Sequence, residues 1–278
     1  PSRQDPGGFE SIGSECMTGR LAGKVAIVTG AAPRSEGIGN GKAAALLFAR
    51  EGAKVVLVNR NEERARKLAK EIVAEGGEAD VFAGDLSEPG VADSMAAFAT
   101  ARFGGVDVLH NNVGIGGPGT AESTSLEDWN HMFQVNLTGA LLCIRACIPE
   151  MRKRGGGSII NISSIAGATG LMRETGAVAY TTTKAGLHGL TMSVAADYAA
   201  EQIRCNCIIV GTVYTPMVGH YDDAARDRRR RGVPLQTEGT GWDIGWAAVY
   251  LASDESRWVT GAFIPVDGGF LGLRNWPR

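Results

Sequence analysis

The sequence predicts a single doubly wound α/β domain, a parallel sheet of about seven strands with helices on both faces. Three observations carry that prediction. Short apolar runs alternate along the chain with segments of helical length. Runs such as Val25–Val28, Val55–Val58 and Ser158–Ile162 are continuously apolar or β-branched, as strands buried on both faces are. No repeat and no linker divides the 278 residues. Strands joined through helices must be parallel, with right-handed crossovers.

Taken in order, Lys24–Thr29 is a first strand, and Gly41–Gly52 a helix with Ala43, Ala44, Leu47 and Phe48 at helical spacing. Lys54–Val58 is a strand, Glu62–Glu75 a charged helix burying Leu68, Ile72 and Val73, and Ala79–Ala83 a strand. Pro89–Phe103 reads as helix and Val106–Asn111 as strand. Leu126–Arg154 is a long helical stretch that Gly139 and Pro149 should interrupt. Ser158–Ile162 is strand, Tyr180–Ala200 helix and Ile203–Ile209 strand. Residues 214–241 are polar and read as irregular, before a helix at Asp243–Ala252 and a last strand at Ala262–Val266. Residues 1–20 read as a flexible leader, with Met17 a candidate internal start; 21–278 form the domain.

Composition removes several function classes. The formal charge is only −2, so no global field draws nucleic acid or an anionic membrane. No run of 18 or more apolar residues occurs, so no membrane span is expected. The 39 glycines are about twice the ordinary share and imply tight turns and close backbone approaches. Cys16, Cys143, Cys147, Cys205 and Cys207 are sparse and odd in number, which fits core thiols in a reducing, cytoplasmic compartment. No Cys or His spacing suggests a metal site, and His110, His131, His188 and His220 form no triad.

Two clusters point to chemistry. Thr29-Gly30 ends the first strand and Gly37-Ile38-Gly39 precedes the first helix, where glycines let backbone approach a pyrophosphate at a helix N-terminus. Tyr180 and Lys184 stand four apart on one helical face. An ammonium beside a phenol favours the phenolate and suits it to proton exchange with an alcohol.

These clusters, with Asn111-Asn112-Val113-Gly114, Asn136, Ser163-Ser164 and Val266-Asp267-Gly268-Gly269, occur in the order seen in the short-chain dehydrogenases/reductases, which the chain resembles from about Leu21 to Gly272. The resemblance implies a Rossmann-type domain, a nicotinamide cofactor, metal-free hydride transfer on a secondary alcohol or ketone, and a homotetramer or homodimer built on the helices Leu126–Arg154 and Tyr180–Ala200. It implies Tyr180 as general acid/base and Lys184 as ribose ligand and modulator of the tyrosine. Ser164, rather than Ser163, would hold the substrate oxygen, and Asn136 a relaying water. Gly30, Gly37, Ile38 and Gly39 would cradle the pyrophosphate. Asp85 and Leu86 would edge the adenine, and Asn112 and Gly114 would line the cofactor side. Gly211, Val213 and Thr215 would meet the carboxamide. A catalytically silent dinucleotide-binding regulator is the alternative, which the complete Asn–Ser–Tyr–Lys set disfavours. A nucleotide-sugar epimerase or dehydratase would need a further substrate region.

The departures matter. Six residues, not three, separate Gly30 from Gly37, a lengthening similar to acyl-carrier enoyl reductases of the same superfamily. Those space Tyr and Lys by six residues rather than three. Fifteen residues separate Ser164 from Tyr180 where twelve is common, the excess lying around Leu171-Met172-Arg173-Glu174. Val210-Gly211 stands where Pro-Gly is usual. Arg226 and Arg228–Arg231 read as a solvated charge run, with attraction of an anionic substrate as the sharper reading. Trp242, Trp246 and Trp258 are expected to pack. At the end of the second strand, Asn59 replaces the carboxylate that would repel a 2′-phosphate, and Arg60 and Arg34 add positive charge. This predicts NADP over NAD, unless Arg60 pairs with Glu62 or Glu63.

Overall fold

The computed structural model describes residues 19–171, 175–218 and 221–273. Most of the leader, Cys16, Met17, Met172, Arg173, Glu174 and His220 therefore lie outside the described residues.

The elements follow in chain order as β1 (Val25–Thr29), α1 (Asn40–Arg50), β2 (Lys54–Asn59), α2 (Glu62–Ala74), β3 (Glu78–Ala83), α3 (Val91–Phe103) and β4 (Val108–Asn111). After them come α4 (Leu126–Phe133), a π-helical turn (Gln134–Thr138), α5 (Gly139–Lys153), β5 (Gly157–Ser164), α6 (Ile165–Ala168), α7 (Val178–Tyr198) and β6 (Ile203–Val210). The chain closes with β7 (Val213–Tyr214), α8 (Asp223–Arg231), β8 (Gly239–Thr240), α9 (Gly241–Ala252) and β9 (Phe263–Val266).

Seven strands form one parallel sheet in the order β3-β2-β1-β4-β5-β6-β9, and β7 and β8 form a separate parallel pair. The order reverses between β1 and β4, which opens a crevice at the carboxyl ends of those strands. The predicted doubly wound sheet is therefore the observed one. One apolar layer joins α1, α2 and α9 to the sheet; the other joins α3, α5 and α7. Leu47 and Phe48 are fully buried in the first, each worth about 1.5–3 kcal/mol. A Cβ at Gly245 of α9 would lie 2.8 Å from Leu47 Cδ1, so a glycine lets the two helices cross closely.

Four expectations need correction. Gly139 and Pro149 break nothing: α4, the π-turn and α5 run on as a single helix, Leu126–Lys153. By length and apolarity that rod could cross a membrane, but here it is a layer helix of the sheet, packed against α3 and α7. On α2, Ala65, Leu68 and Ile72 are buried while Val73 is exposed, because Val73 lies off the face that the first two set. The polar stretch after Tyr214 contains a nine-residue helix, α8, begun by the Asp222 carboxylate accepting from Ala225 N. Only Trp242 packs on the core; Trp246 is half exposed and Trp258 is 92% exposed.

Candidate active site

The predicted residues assemble at the carboxyl edge of the sheet. β1 delivers Thr29, whose hydroxyl accepts from Asn112 N (2.9 Å) and donates to His110 O (3.3 Å). Asn112 Nδ2 donates to Thr29 O and Gly30 O at 3.3 and 3.1 Å, tying β1 to the loop after β4. Deeper, Asn111 donates to Asn161 Oδ1 and Asn161 to Thr191 Oγ1, so β4, β5 and α7 share one buried polar chain.

The glycine loop meets the requirements of a bound pyrophosphate. Gly30 and Gly37 both adopt positive φ, +60° and +116°. A Cβ at Gly41 would lie 2.4 Å from Gly30 O, so the first turn of α1 lies against the loop only as glycine. Helix α1 starts at Gly39 with no side-chain cap and no acid in its first turn, leaving amide donors and positive partial charge for an anion. Ile38 is half-buried beside it and Arg34 is exposed at the loop surface. A cavity of about 20 Å³ opens at the β1/β4 switch point, lined by Thr29, Leu86, Asn111, Val113, Val135 and Cys143. The glycine loop and the uncapped start of α1 fit the pyrophosphate of a dinucleotide.

Beyond the ends of β2 and β3 two predicted residues meet each other. Arg60 Nη1 lies 3.2 Å from Asp85 Oδ2, rather than pairing with Glu62 or Glu63. The other carboxylate oxygen of Asp85 accepts from Ser87 N and Oγ at 3.0 and 2.6 Å. Burial alone would raise the Asp85 pKa, but the Ser87 bonds and Arg60 outweigh it and hold the carboxyl below its usual range. Asn59 Nδ2 donates to Ala32 O (2.7 Å) and its Oδ1 accepts from Asn61 N (2.9 Å). The amide thus ties the end of β2 to the glycine loop.

The catalytic-side residues converge from four elements. Lys184 on α7 is 5% exposed, and its Nζ donates to Ile162 O at 2.8 Å, spending one of three donors. That Nζ lies 5.8 Å from the centre of the Tyr180 ring. A Cβ at Gly114 would stand 3.2 Å from Lys184 Nζ and 3.6 Å from Asn136 Oδ1, and one at Gly116 would stand 3.9 Å from Tyr180 Cδ2. Asn136 sits in the π-turn, a form that recurs at functional sites. Its Oδ1 accepts from Ile115 N (2.8 Å), while Nδ2 donates to Ile115 O (2.9 Å) and Thr183 Oγ1 (3.1 Å).

Strand alternation separates the two serines. Ser164, at the end of β5, accepts from Ala166 N at 3.2 Å, so its own proton can be donated elsewhere. Ser163 points the other way and is buried. Its hydroxyl donates to Lys184 O (2.9 Å), and His188 Nε2 lies 2.9 Å from the same oxygen. A hydroxyl has one proton, which the carbonyl takes, so His188 carries its hydrogen on Nε2. Burial lowers the His188 pKa.

Gly211 lies against Asp267, whose carboxylate accepts from Gly269 N and Leu271 N and shapes the last turn. Val213 is buried and Thr215 half-buried in the segment that follows. A side chain at Gly37 would meet Pro216 Cγ at 3.2 Å, so this segment crosses the glycine loop. Burial pushes the Cys143, Cys205 and Cys207 thiols up to about 12 and Cys147 well above its ordinary value, as inert core thiols require. Among the described residues no three His, Cys, Asp or Glu side chains are grouped to hold a metal.

Sequence reading did not reach Thr183, the Ser163–His188 pair or Glu238, which binds Arg226 and Arg229 of α8. Ser163 was reachable through the alternation of β5; Glu238 carries no local signal.

Comparison with known proteins agrees with this geometry. The family model described as enoyl-(acyl carrier protein) reductase matches residues 30–271. The chain is 39% identical over 254 residues to a 2,5-dichloro-2,5-cyclohexadiene-1,4-diol dehydrogenase of Sphingobium indicum, covering 91% of this chain and 98% of the relative. It is 34% identical over 255 residues to a cyclohexanol dehydrogenase of an Acinetobacter species, covering 91% and 97%. The crystal structure of a short-chain type dehydrogenase/reductase from Mycobacterium marinum superposes with a TM-score of 0.84 at 31% identity, covering 91% and 97%.

Proposed function

The chain belongs to the short-chain dehydrogenase/reductase family, an NAD(P)-dependent oxidoreductase of the alcohol dehydrogenase type, and on that premise we propose that it oxidises cyclic secondary alcohols with NADP through Tyr180. One observation carries the reading of the site: Lys184 Nζ and Asn136 Oδ1 converge on the gap that Gly114 leaves, beside the Tyr180 ring.

A bound nicotinamide supplies the hydride acceptor, or the donor in reverse. In oxidation Tyr180, as phenolate, takes the hydroxyl proton while hydride leaves the carbinol carbon; in reduction its phenol returns that proton to the carbonyl oxygen. Lys184, its Nζ 5.8 Å from the centre of the Tyr180 ring, holds the ribose with its remaining donors. Ser164 donates to the substrate oxygen. Asn136 holds the loop at Ile115 and the helix at Thr183, and so supports the proton path at Lys184. Gly30, Gly37, Ile38 and Gly39 cradle the pyrophosphate; Leu86 and Asp85 edge the adenine; Asn112, Gly211, Val213 and Thr215 line the nicotinamide side.

The substrate class follows the two relatives named for six-membered ring alcohols. NADP is favoured because Asn59 carries no charge to repel a 2′-phosphate, and Arg60, 59% exposed on its Asp85 tether, can turn to grip one. Residues 21–278 form one domain with a lid near 214–241. Half-exposed Leu141 and Met192, on α5 and α7, support a homodimer or homotetramer on those helices. The unpaired buried thiols support a cytoplasmic setting.

The test is cofactor absorbance with a panel of cyclic and acyclic alcohols, each with NAD and NADP, for the wild type and Arg60→Ala. Turnover of cyclic alcohols, with NADP preferred and that preference lost in Arg60→Ala, supports the proposal. A wild-type preference for NAD that Arg60→Ala leaves alone contradicts the cofactor assignment. Asn59→Asp is a poorer probe, because it sets a carboxylate against Ala32 O.

A further inference from the structure

The arginines of the lid are the charged cluster that this chemistry leaves unused, and their pairing is uneven. Arg230 and Arg231 both bind Asp227 within their own helix, so they fasten α8 to nothing else. Arg226 and Arg229, one turn apart on α8, reach across to Glu238. Arg226 Nε lies 3.0 Å from Oε2 and Arg229 Nε 2.8 Å from Oε1, one arginine to each carboxylate oxygen. The Glu238 side chain is 8% exposed, so this pair is shielded as the Asp227 pairs are not.

The same arginines also hold β7. The Arg226 guanidinium lies 3.8 Å over the Tyr214 ring, and Arg229 Nη2 donates to Val213 O at 3.2 Å. Glu238 immediately precedes β8, which pairs with β7. One carboxylate therefore gathers α8, β7 and β8. The chain runs from β7 directly into Thr215 and into Pro216 over the glycine loop. No residue of α8 is buried, so no apolar face docks the helix in place of these charges.

We propose that Glu238 is a positioning residue: by clamping Arg226 and Arg229 it seats the lid helix on the strand that leads into the nicotinamide end of the site, and so sets how tightly the alcohol is held. The proposal rests on the function assigned above. Glu238 touches no reacting atom and acts through β7.

The experiment compares the full-length wild type with Glu238→Gln, Glu238→Asp and Asp227→Asn. It uses limited trypsin digestion with mass mapping of cuts between residues 226 and 231, melting temperature, and kcat and KM for cyclohexanol. Glu238→Gln is expected to be cut in the arginine run at least ~10-fold faster and to raise KM about 10-fold, with kcat within about threefold and Tm nearly unchanged, as for local opening. Glu238→Asp should fall between it and the wild type, and Asp227→Asn should match the wild type in both readouts. Unchanged cleavage and KM in Glu238→Gln overturn the proposal. So does equal loosening in Asp227→Asn, or a joint fall of kcat and Tm. Should Glu238→Gln fail to fold, Arg229→Gln must show the same cleavage and KM signature. A wild type that oxidises no alcohol defeats the functional reading, and the digestion then decides the clamp alone.

Discussion

The inner wall of the site and the segment proposed as its lid are held by opposite means. In the wall, Asn136, Ser163, Asn161 and Lys184 are all buried, and each polar group meets a partner in another element. In the lid, α8 buries no side chain and depends on charges arranged around Glu238. A buried polar network tolerates little displacement, because any unpaired member bears its full desolvation cost. The α8 clamp instead gathers on one shielded carboxylate, so its loss frees α8 without unpairing the wall. The wall should therefore govern turnover, and the lid should govern binding.

The largest break in that comparison is Lys184→Ala. It removes the ammonium beside Tyr180 and the donor to Ile162 O together, so kcat/KM should fall about 10³-fold, within the span of general acid/base catalysis. Cofactor affinity should fall with it, read by fluorescence titration. Loss of affinity alone, with kcat preserved, would mean that the lysine only binds.

Ser163→Ala should follow. It removes the donor to Lys184 O and the acceptor for His188 while leaving Ser164 in place. We expect kcat to drop by about tenfold with KM for the alcohol unchanged, because the helix carrying Tyr180 loses a tether of roughly 1 kcal/mol or more. A KM effect without a kcat effect would erase the distinction between wall and lid.

Sequence and structure agree most where chemistry dictates residue type. Gly30 takes the positive φ that its strand-to-helix turn requires, and Tyr180 and Lys184 share one stretch of α7 facing Gly114 and Gly116, as their spacing predicts. Helix propensity reads an interruption at Gly139 and Pro149, yet the chain stays helical there and the departure from α-helical bonding is the π-turn at Gln134–Thr138, where Asn136 bonds to Ile115 and Thr183. That cause is tertiary and has no local signal. Helix α8 was missed because its arginines show no apolar period, and its anchor Glu238 is remote from the run. Trp258 was expected to pack as aromatics do, and it faces outward in this chain.

A separate effect, on stability rather than turnover, concerns His110, on β4 beside the wall's Asn111. Its ring is fully buried edge-on against Phe48, and neither nitrogen has a partner among the described residues. Burial lowers its pKa from 6.5 to about 4, so the folded protein resists protonation that the unfolded chain accepts. Stability should be unaffected above pH 6.5 and should fall as pH drops from there towards 4, by roughly 3 kcal/mol at about 1.4 kcal/mol per pH unit. Thermal melts from pH 7 to pH 4 should show a shallower decline for His110→Leu than for the wild type. Parallel declines would place the acid sensitivity in the paired carboxylates instead.

In the proposed mechanism Tyr180 is the residue that moves the proton. Its most direct test is Tyr180→Phe, assayed for oxidation of cyclohexanol beside a titration of cofactor binding on the same preparation. Turnover should fall by at least ~10², with cofactor affinity and melting temperature close to wild type. Turnover within a few-fold of wild type, with the cofactor still bound, would contradict it.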